Sequence, residues 1–530
     1  MGKELREVAV EKFAAVKKEV GELQSILGKL DKEIEALRRS IPEKVDFDKF
    51  KIFLRRPYTI VPAKGDSWYV IVPKFIPFSV GFYDHTEGEY NYYMLNRYTQ
   101  WLGELPDWIR KEVKLPVPMK ISMVNGSINF EEGKEEDVRK RFGTYLTTVT
   151  KGTGRVKVGS EYDLIAEIIR MGSLPFAPHP VDKKDVRKGS GIIKFEGKFT
   201  FQKEAIDKFM QYGCLSVHYM TGGGKDVIAT HLLDIIKVDD LPNLYVAPNL
   251  TILEQIKKDY FPAFAPRLLK ELESGQLILS TYQNYENLKD KEYGIVIFSE
   301  NHTLPADTFS KLATLKIKYR LGASGSPYRE DGRTELIWAL SGPPIGMAWR
   351  DVMKVLGKTY HDIYVHILPS LADKFKKAYE LYDPEKRTLI FTWRLDIGRK
   401  VSDTLGIPFI SGETKNRIEM IKANKSFVIS SVGELGISIK DLERIIEIDF
   451  FKGSLREALQ KTGRALHSEV FERQDILFTE EEYYKFGKRL HSLEEKGLFH
   501  IIMPYTSKID FKPLKALTTK KAKKSVKKRW

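Results

Sequence analysis

Thr221-Gly222-Gly223-Gly224-Lys225-Asp226 follows an apolar run, Cys214-Leu215-Ser216-Val217, and precedes a helix-like stretch from Val227 to Leu233. A strand, a glycine turn, a lysine and a helix start make a cradle for phosphate. Glycines let backbone N–H groups approach the phosphate oxygens, the helix N-terminus favours negative charge, and the lysine reaches the β/γ-phosphates. Two positions depart from the general pattern. Asp226 stands where such loops carry a Ser or Thr whose hydroxyl binds Mg²⁺, and Tyr219 stands about where the first glycine would be.

Further along, Ser299-Glu300-Asn301-His302 follows the apolar run ending at Phe298. A carboxylate at a strand end can reach the γ-phosphate and its water. About twenty residues later Ser324-Gly325-Ser326-Pro327 follows another short strand, and far downstream Gln460-Lys461-Thr462-Gly463-Arg464 is expected to begin a helix.

The elements that must position these residues are legible as apolar runs. Leu244 to Ala247, Leu277 to Leu279, Ile295 to Phe298, Leu389 to Phe391 and Phe427 to Ile429 alternate with helical segments. Such a pattern indicates parallel sheets buried on both faces. Ser341-Gly342-Pro343-Pro344 is expected to be the hinge between two such units. The resulting division is a coiled-coil helix over 1–42, a mixed α/β domain over 43–188, two parallel-sheet units over 189–342 and 343–508, and a basic tail over 509–530. The coiled coil rests on Phe13, Val16, Val20, Leu23, Leu27, Leu30, Ile34, Leu37 and Ile41, spaced alternately by three and four. A partner for 13–41 could be a second copy, another protein or this chain itself. The aromatic-rich stretch from Phe78 to Trp101, with Arg55, Arg56, Lys74 and Arg97 nearby, could stack nucleic-acid bases or serve as core.

Composition narrows the class. The 530 residues are 42% hydrophobic and 30% charged, with no apolar run long enough to span a membrane. One cysteine, Cys214, excludes an internal disulfide framework and a cysteine-built zinc site, which fits a reducing, cytoplasmic setting. The net charge of +15 suggests a polyanionic partner, but nine of the basic residues sit in 512–530 without an acid, leaving +6 for the rest.

In this order the elements resemble the motifs of superfamily 2 helicases, from about 199 to 505. Phe201-Gln202 resembles the adenine-reading glutamine motif, Thr221 to Asp226 motif I, and Val246 to Asn249 motif Ia. Ser280-Thr281-Tyr282-Gln283 is similar to motif Ib, Ser299 to His302 to motif II, and Ser324-Gly325-Ser326 to motif III. Phe391-Thr392-Trp393 resembles motif IV, Gly433 to Ser438 motif V, and Gln460 to His467 motif VI. Arg329-Glu330-Asp331 after motif III resembles the XPB-like branch and related helicases of phages and mobile elements.

The resemblance implies two tandem RecA-like lobes, with ATP and Mg²⁺ in the cleft and DNA, or alternatively RNA, running across both. Lys225, Glu300, Gln460 and Arg464 would be catalytic, with Arg464 acting as an arginine finger. Phe201, Gln202, Thr221, Gly222, Gly223, Gly224, Lys225, Asp226 and Gly436 would bind ATP, and Asp226, Ser299 and Glu300 would hold the metal. Asn249, Thr281, Arg329, Trp393 and Ser431 would touch nucleic acid, while Ser324, Ser326, His302 and His467 would couple the two activities.

Three departures bear on activity. Asp226 has gained the carboxylate that Ser299 lacks relative to motif II, an exchange that would leave one hydroxyl and one carboxylate for Mg²⁺. His467 occupies the final arginine position of motif VI, and Ser438 stands where motif V commonly has an aspartate. The competing expectation is a weakened or silent helicase relative that only binds nucleic acid.

Overall fold

The computed structural model describes most of the chain between Tyr58 and Met503. Outside the description lie 1–57 except 25, 27 and 28; also 64–66, 74–80, 89, 103–108, 110, 114–118, 326–327, 330–331, 359–360, 431–438, 440, 449–467, 469, 488–489, 491–492, 494–495, 497, 499 and 504–530. The coiled-coil expectation for 13–41 and the basic tail over 509–530 therefore fall outside it, apart from helical Ser25, Leu27 and Gly28.

Ahead of the parallel-sheet lobes, two antiparallel sheets are accompanied by short helices. Strands β1 (Thr59–Pro62), β2 (Trp68–Pro73), β3 (Phe82–Glu87) and β4 (Tyr90–Leu95) pair in the order β1-β2-β4-β3. In β4, Asn91, Tyr93 and Leu95 are buried and alternate with more exposed neighbours, the period of a strand with one face on a core. Strands β5 (Ile121–Val124), β6 (Ser127–Phe130), β7 (Leu146–Thr150) and β8 (Thr153–Val156) form the second sheet, ordered β5-β6-β8-β7. Each sheet has its own apolar core. Helix Glu161–Arg170 serves two masters: Leu164 and Ile168 face the second sheet, while Ala166 and Ile169 pack on Ile337 and Trp338 of the following lobe.

The first lobe contains β9 (Cys214–His218), β10 (Asn243–Ala247), β11 (Leu277–Thr281), β12 (Glu292–Ser299), β13 (Lys316–Ala323) and β14 (Pro344–Gly346). All pair in parallel, in the order β11-β10-β12-β13-β9-β14. Every residue of β10 is buried, as a doubly covered parallel strand requires. The turn at 341–344 is not the hinge that its Gly and Pro content suggested. Pro344–Gly346 is the edge strand of this lobe, and Gly342 (φ +127°) lies so close to β9 that a Cβ would stand 2.6 Å from the Leu215 nitrogen. Helix Trp349–Val355 extends the lobe further, with Trp349, Val352 and Met353 in its core.

The second lobe contains β15 (Asp362–Leu368), β16 (Thr388–Thr392), β17 (Phe409–Ile410), β18 (Phe427–Ser430), β19 (Arg444–Glu447), β20 (Arg473–Thr479) and β21 (His500–Met503). These seven strands are again parallel, ordered β17-β18-β16-β19-β20-β15-β21. The molecule is thus α/β, with two parallel-sheet lobes in tandem. Among the described residues no helix is long and apolar enough to cross a membrane.

Candidate functional site

The glycine loop leaves the C-terminal end of β9 and enters helix Lys225–Ile235. Gly222 and Gly224 have φ of +85° and +80°, a backbone region that side chains disfavour. At Gly224 space is also closed, since a Cβ would come 2.2 Å from Gln202 Nε2. That nitrogen donates to the Gly223 carbonyl at 3.1 Å, so Gln202 props the loop from behind. Tyr219, in place of the first glycine, is buried, donates its hydroxyl to the Phe201 carbonyl at 2.8 Å and sets its ring edge-on to Phe201. The loop's missing flexibility is replaced by an anchor to helix Thr200–Tyr212.

Lys225 Nζ donates to the carbonyls of Tyr219 (3.0 Å) and Met220 (3.1 Å). Burial pushes its pKa down, against the attraction of Glu300 and Asp226. Asp226 behaves oppositely: burial raises its pKa, and the favourable charge of Lys225 does not outweigh that. The Tyr245 hydroxyl donates to Asp226 Oδ1 at 3.1 Å. Tyr245 lies on β10, which pairs with β12, the strand that ends in Ser299.

Glu300 has left-handed backbone angles (φ 55°, ψ 49°), unfavourable for a residue with a Cβ by roughly 1–2 kcal/mol. Its Oε2 lies 3.1 Å from His302 Nδ1 and 3.4 Å from Ser324 Oγ, and Ser324 and His302 are themselves 2.6 Å apart. The structure so joins Glu300, His302 and Ser324 in one triangle. Arg329 turns toward it, donating from Nη1 to the His302 carbonyl at 2.5 Å. Behind the triangle, His218 Nε2 accepts from Trp338 Nε1 at 3.0 Å and lies 2.9 Å from Ser216 Oγ. Burial drives the His218 pKa down to about 3, so the ring is neutral at pH 7.

Asn249 and Thr281 stand at the same strand-end rim, where Ala247 of β10 is in register with Thr281 of β11. The Asn249 side chain accepts from the Ile252 N–H at 3.0 Å and so caps helix Leu250–Gln255. Trp393 is half-buried just beyond β16 of the second lobe. Gly436, Ser431, Gln460, Arg464, His467 and Ser326 lie outside the described residues.

A cavity of about 870 Å³ opens between the lobes. Thr221, Lys225, Asp226, Ser299 and Glu300 line it from the first lobe, and Arg387, Lys422 and Asp441 from the second. Ion pairs Lys258–Glu419 (3.0 Å) and Lys422–Asp259 (2.6 Å) span the lobes beside it. Asp226, Ser299 and Glu300 line one side of the cavity and offer the hard oxygens that Mg²⁺ prefers, so the residues fit that ion. Sequence reasoning passed over Tyr245, His218 and Trp338. A tyrosine in the middle of a fully buried strand was the available signal, because a buried phenol needs a hydrogen-bond partner.

The chain has tandem parallel-sheet lobes with a glycine phosphate loop and an acidic strand end. Comparison of sequences supports a kinship with superfamily 2 helicases, with similarity to proteins of the XPB-like branch. It is 25% identical over 389 residues to the putative DNA 3'-5' helicase Rad25 of Haloarcula marismortui, covering 63% of this chain and 61% of that protein. It is 24% identical over 320 residues to the DNA 3'-5' helicase XPB of Mycobacterium tuberculosis, covering 50% and 57%. With the DNA 3'-5' translocase XPB2 of Sulfurisphaera tokodaii it shares 29% identity over 191 residues, 34% and 42% of the two chains. The chain thus spans about six-tenths of the length of the first two relatives. No family model matches it. Among solved structures, S. cerevisiae Dbp5 bound to RNA and ADP BeF3 aligns with a TM-score of 0.46 at 12% identity, covering 57% of this chain and 90% of Dbp5.

Proposed function

We propose that the chain is a nucleic-acid-dependent ATPase that translocates on or unwinds DNA. The observation that carries this reading is the convergence of Lys225, Asp226, Ser299 and Glu300 on one cavity beside the glycine loop. Lys225 and the loop amides bind the β/γ-phosphates of ATP. Glu300, oriented by His302 and Ser324, holds the attacking water and takes its proton. A bound Mg²⁺ would supply charge neutralisation between the phosphates, with Asp226, Ser299 and Glu300 as the residues that would hold it. Gln460 and Arg464, by their resemblance to motif VI, stabilise the charge that develops on the transferred phosphoryl group. Arg329, joined to the His302 carbonyl, links the acidic strand end to the segment after motif III, which suits coupling as well as nucleic-acid contact. Asn249, Thr281, Trp393 and Ser431 grip the phosphodiester backbone without reading bases.

The test is ATP turnover of the purified chain without nucleic acid and with single-stranded DNA, duplex DNA or RNA. Stimulation by DNA supports the proposal, and preferential stimulation by RNA reassigns the substrate. Asp226→Thr, Ser299→Asp and the double variant probe the exchange. Turnover that falls in each single variant and returns in the double supports it. Absence of turnover in every variant, wild type included, leaves a silent nucleic-acid-binding relative.

A further inference from the structure

Asp226 is hydrogen-bonded to Tyr245, which stands on the strand beside the one that carries Ser299. This phenol rises from the middle of β10, the strand between β11 and β12, and is fully buried. Its neighbour Val246 is in register with Phe298, one residue before Ser299, so the ring is carried on the strand beside the acidic strand end. From there the hydroxyl donates to Asp226 Oδ1 at 3.1 Å.

We propose that Tyr245 is a positioning residue that ties Asp226 to the strand end that carries Ser299 and so sets the oxygens presented to a divalent cation beside the phosphate loop. The inference rests on the ion site of the proposed function. A carboxylate in the first turn of helix Lys225–Ile235 has rotamer freedom that a phosphate-loop hydroxyl lacks, being longer by one atom. Fixing Oδ1 with a phenol selects one rotamer, and a carboxylate has about four lone-pair sites, so one donor leaves capacity for an ion. The arrangement is that of an outer-shell partner orienting a ligand. It also explains why the exchange of carboxylate and hydroxyl is accompanied by a tyrosine in an otherwise aliphatic stretch, Leu244-Tyr245-Val246-Ala247.

The experiment is Mg²⁺ titration of fluorescent ATP-analogue binding to the full chain, with an EDTA baseline and no turnover required. Wild type is expected to bind more tightly as Mg²⁺ rises. Tyr245→Phe, which removes only the hydroxyl, is expected to raise the Mg²⁺ concentration at half-effect about tenfold, the loss typical of an outer-shell partner, with the EDTA baseline unchanged. Ser299→Ala should shift the midpoint in the same direction. The double variant should shift no further than the larger single one, since the residues act as a unit. An unaltered midpoint in Tyr245→Phe, or additive shifts in the double variant, overturns the role of Tyr245 while leaving the ion site standing. Wild-type binding that ignores Mg²⁺ overturns the ion site itself, and Tyr245 with it.

Discussion

Asp226 in the first lobe, half-buried, and Asp475 in the second, fully buried, both sit on parallel-sheet scaffolds, yet their carboxyl groups shift in opposite directions. Burial pushes Asp475 up, but hydrogen bonds from His366 (2.8 Å) and Arg473 (2.5 Å) outweigh it and hold the group below its usual range. Burial raises Asp226, and Lys225 does not reverse it. The lysines differ likewise. Lys374 is wholly buried against Glu482 at 2.6 Å, while Lys225 rests on two loop carbonyls at the edge of a cavity. In the second lobe Asp475 and Lys374 are closed on charged partners. In the first, Asp226 and Lys225 line a cavity, where a phosphate and a cation would complete them.

The contrast breaks first at the lysines. Lys225→Ala is expected to lower ATP turnover about 10²–10³-fold, measured by phosphate release, with little change in melting temperature. Lys374→Met should do the reverse, leaving Glu482 buried without its partner. Chemical denaturation should show a loss of about 3–5 kcal/mol with nucleotide affinity preserved in the folded protein. Equal effects of both variants on turnover would erase the distinction.

A second handle is pH. His218 has its pKa lowered from 6.5 to about 3, so the unfolded chain takes up a proton that the folded one refuses. Its contribution to stability is complete above about pH 6.5 and is lost as pH falls toward 3, at about 1.4 kcal/mol per pH unit. Denaturation curves of wild type and His218→Gln between pH 7 and pH 5 should diverge by that slope. The smallest effects sharpen the comparison most: Asp226→Asn removes a penalised charge and should raise the melting temperature by ~2 °C, whereas Asp475→Asn removes a satisfied one and should lower it by a similar amount. Shifts of the same sign would mean that the two carboxyl groups are not held differently.

Local chemistry made part of this visible in the sequence. The phosphate loop needs glycines at positive φ between a strand and a helix, and the apolar runs of β10, β12, β16 and β18 mark doubly buried strands without any knowledge of their neighbours. Other features depend on pairing. Pro343-Pro344 read as a break, but proline is tolerated at a sheet edge, and only the register of β14 on β9 reveals a strand there. Tyr245 was hidden for the same reason: in a strand buried on both faces, alternation no longer says which side chain points at the loop. The left-handed backbone at Glu300 has no sequence signature either, since it accompanies contacts with His302 and with Ser324, which lies on a different strand end.

Trp338 adds a mechanical consequence. Its indole stands edge-on to Tyr98 (4.9 Å between ring centres) and Trp101 (6.1 Å) on one hand, and donates to His218 on the other. His218 is the last residue of the strand that feeds the glycine loop. A displacement of helix Arg97–Trp101 would thus reach the strand ahead of the glycine loop through the Trp338 ring and its hydrogen bond.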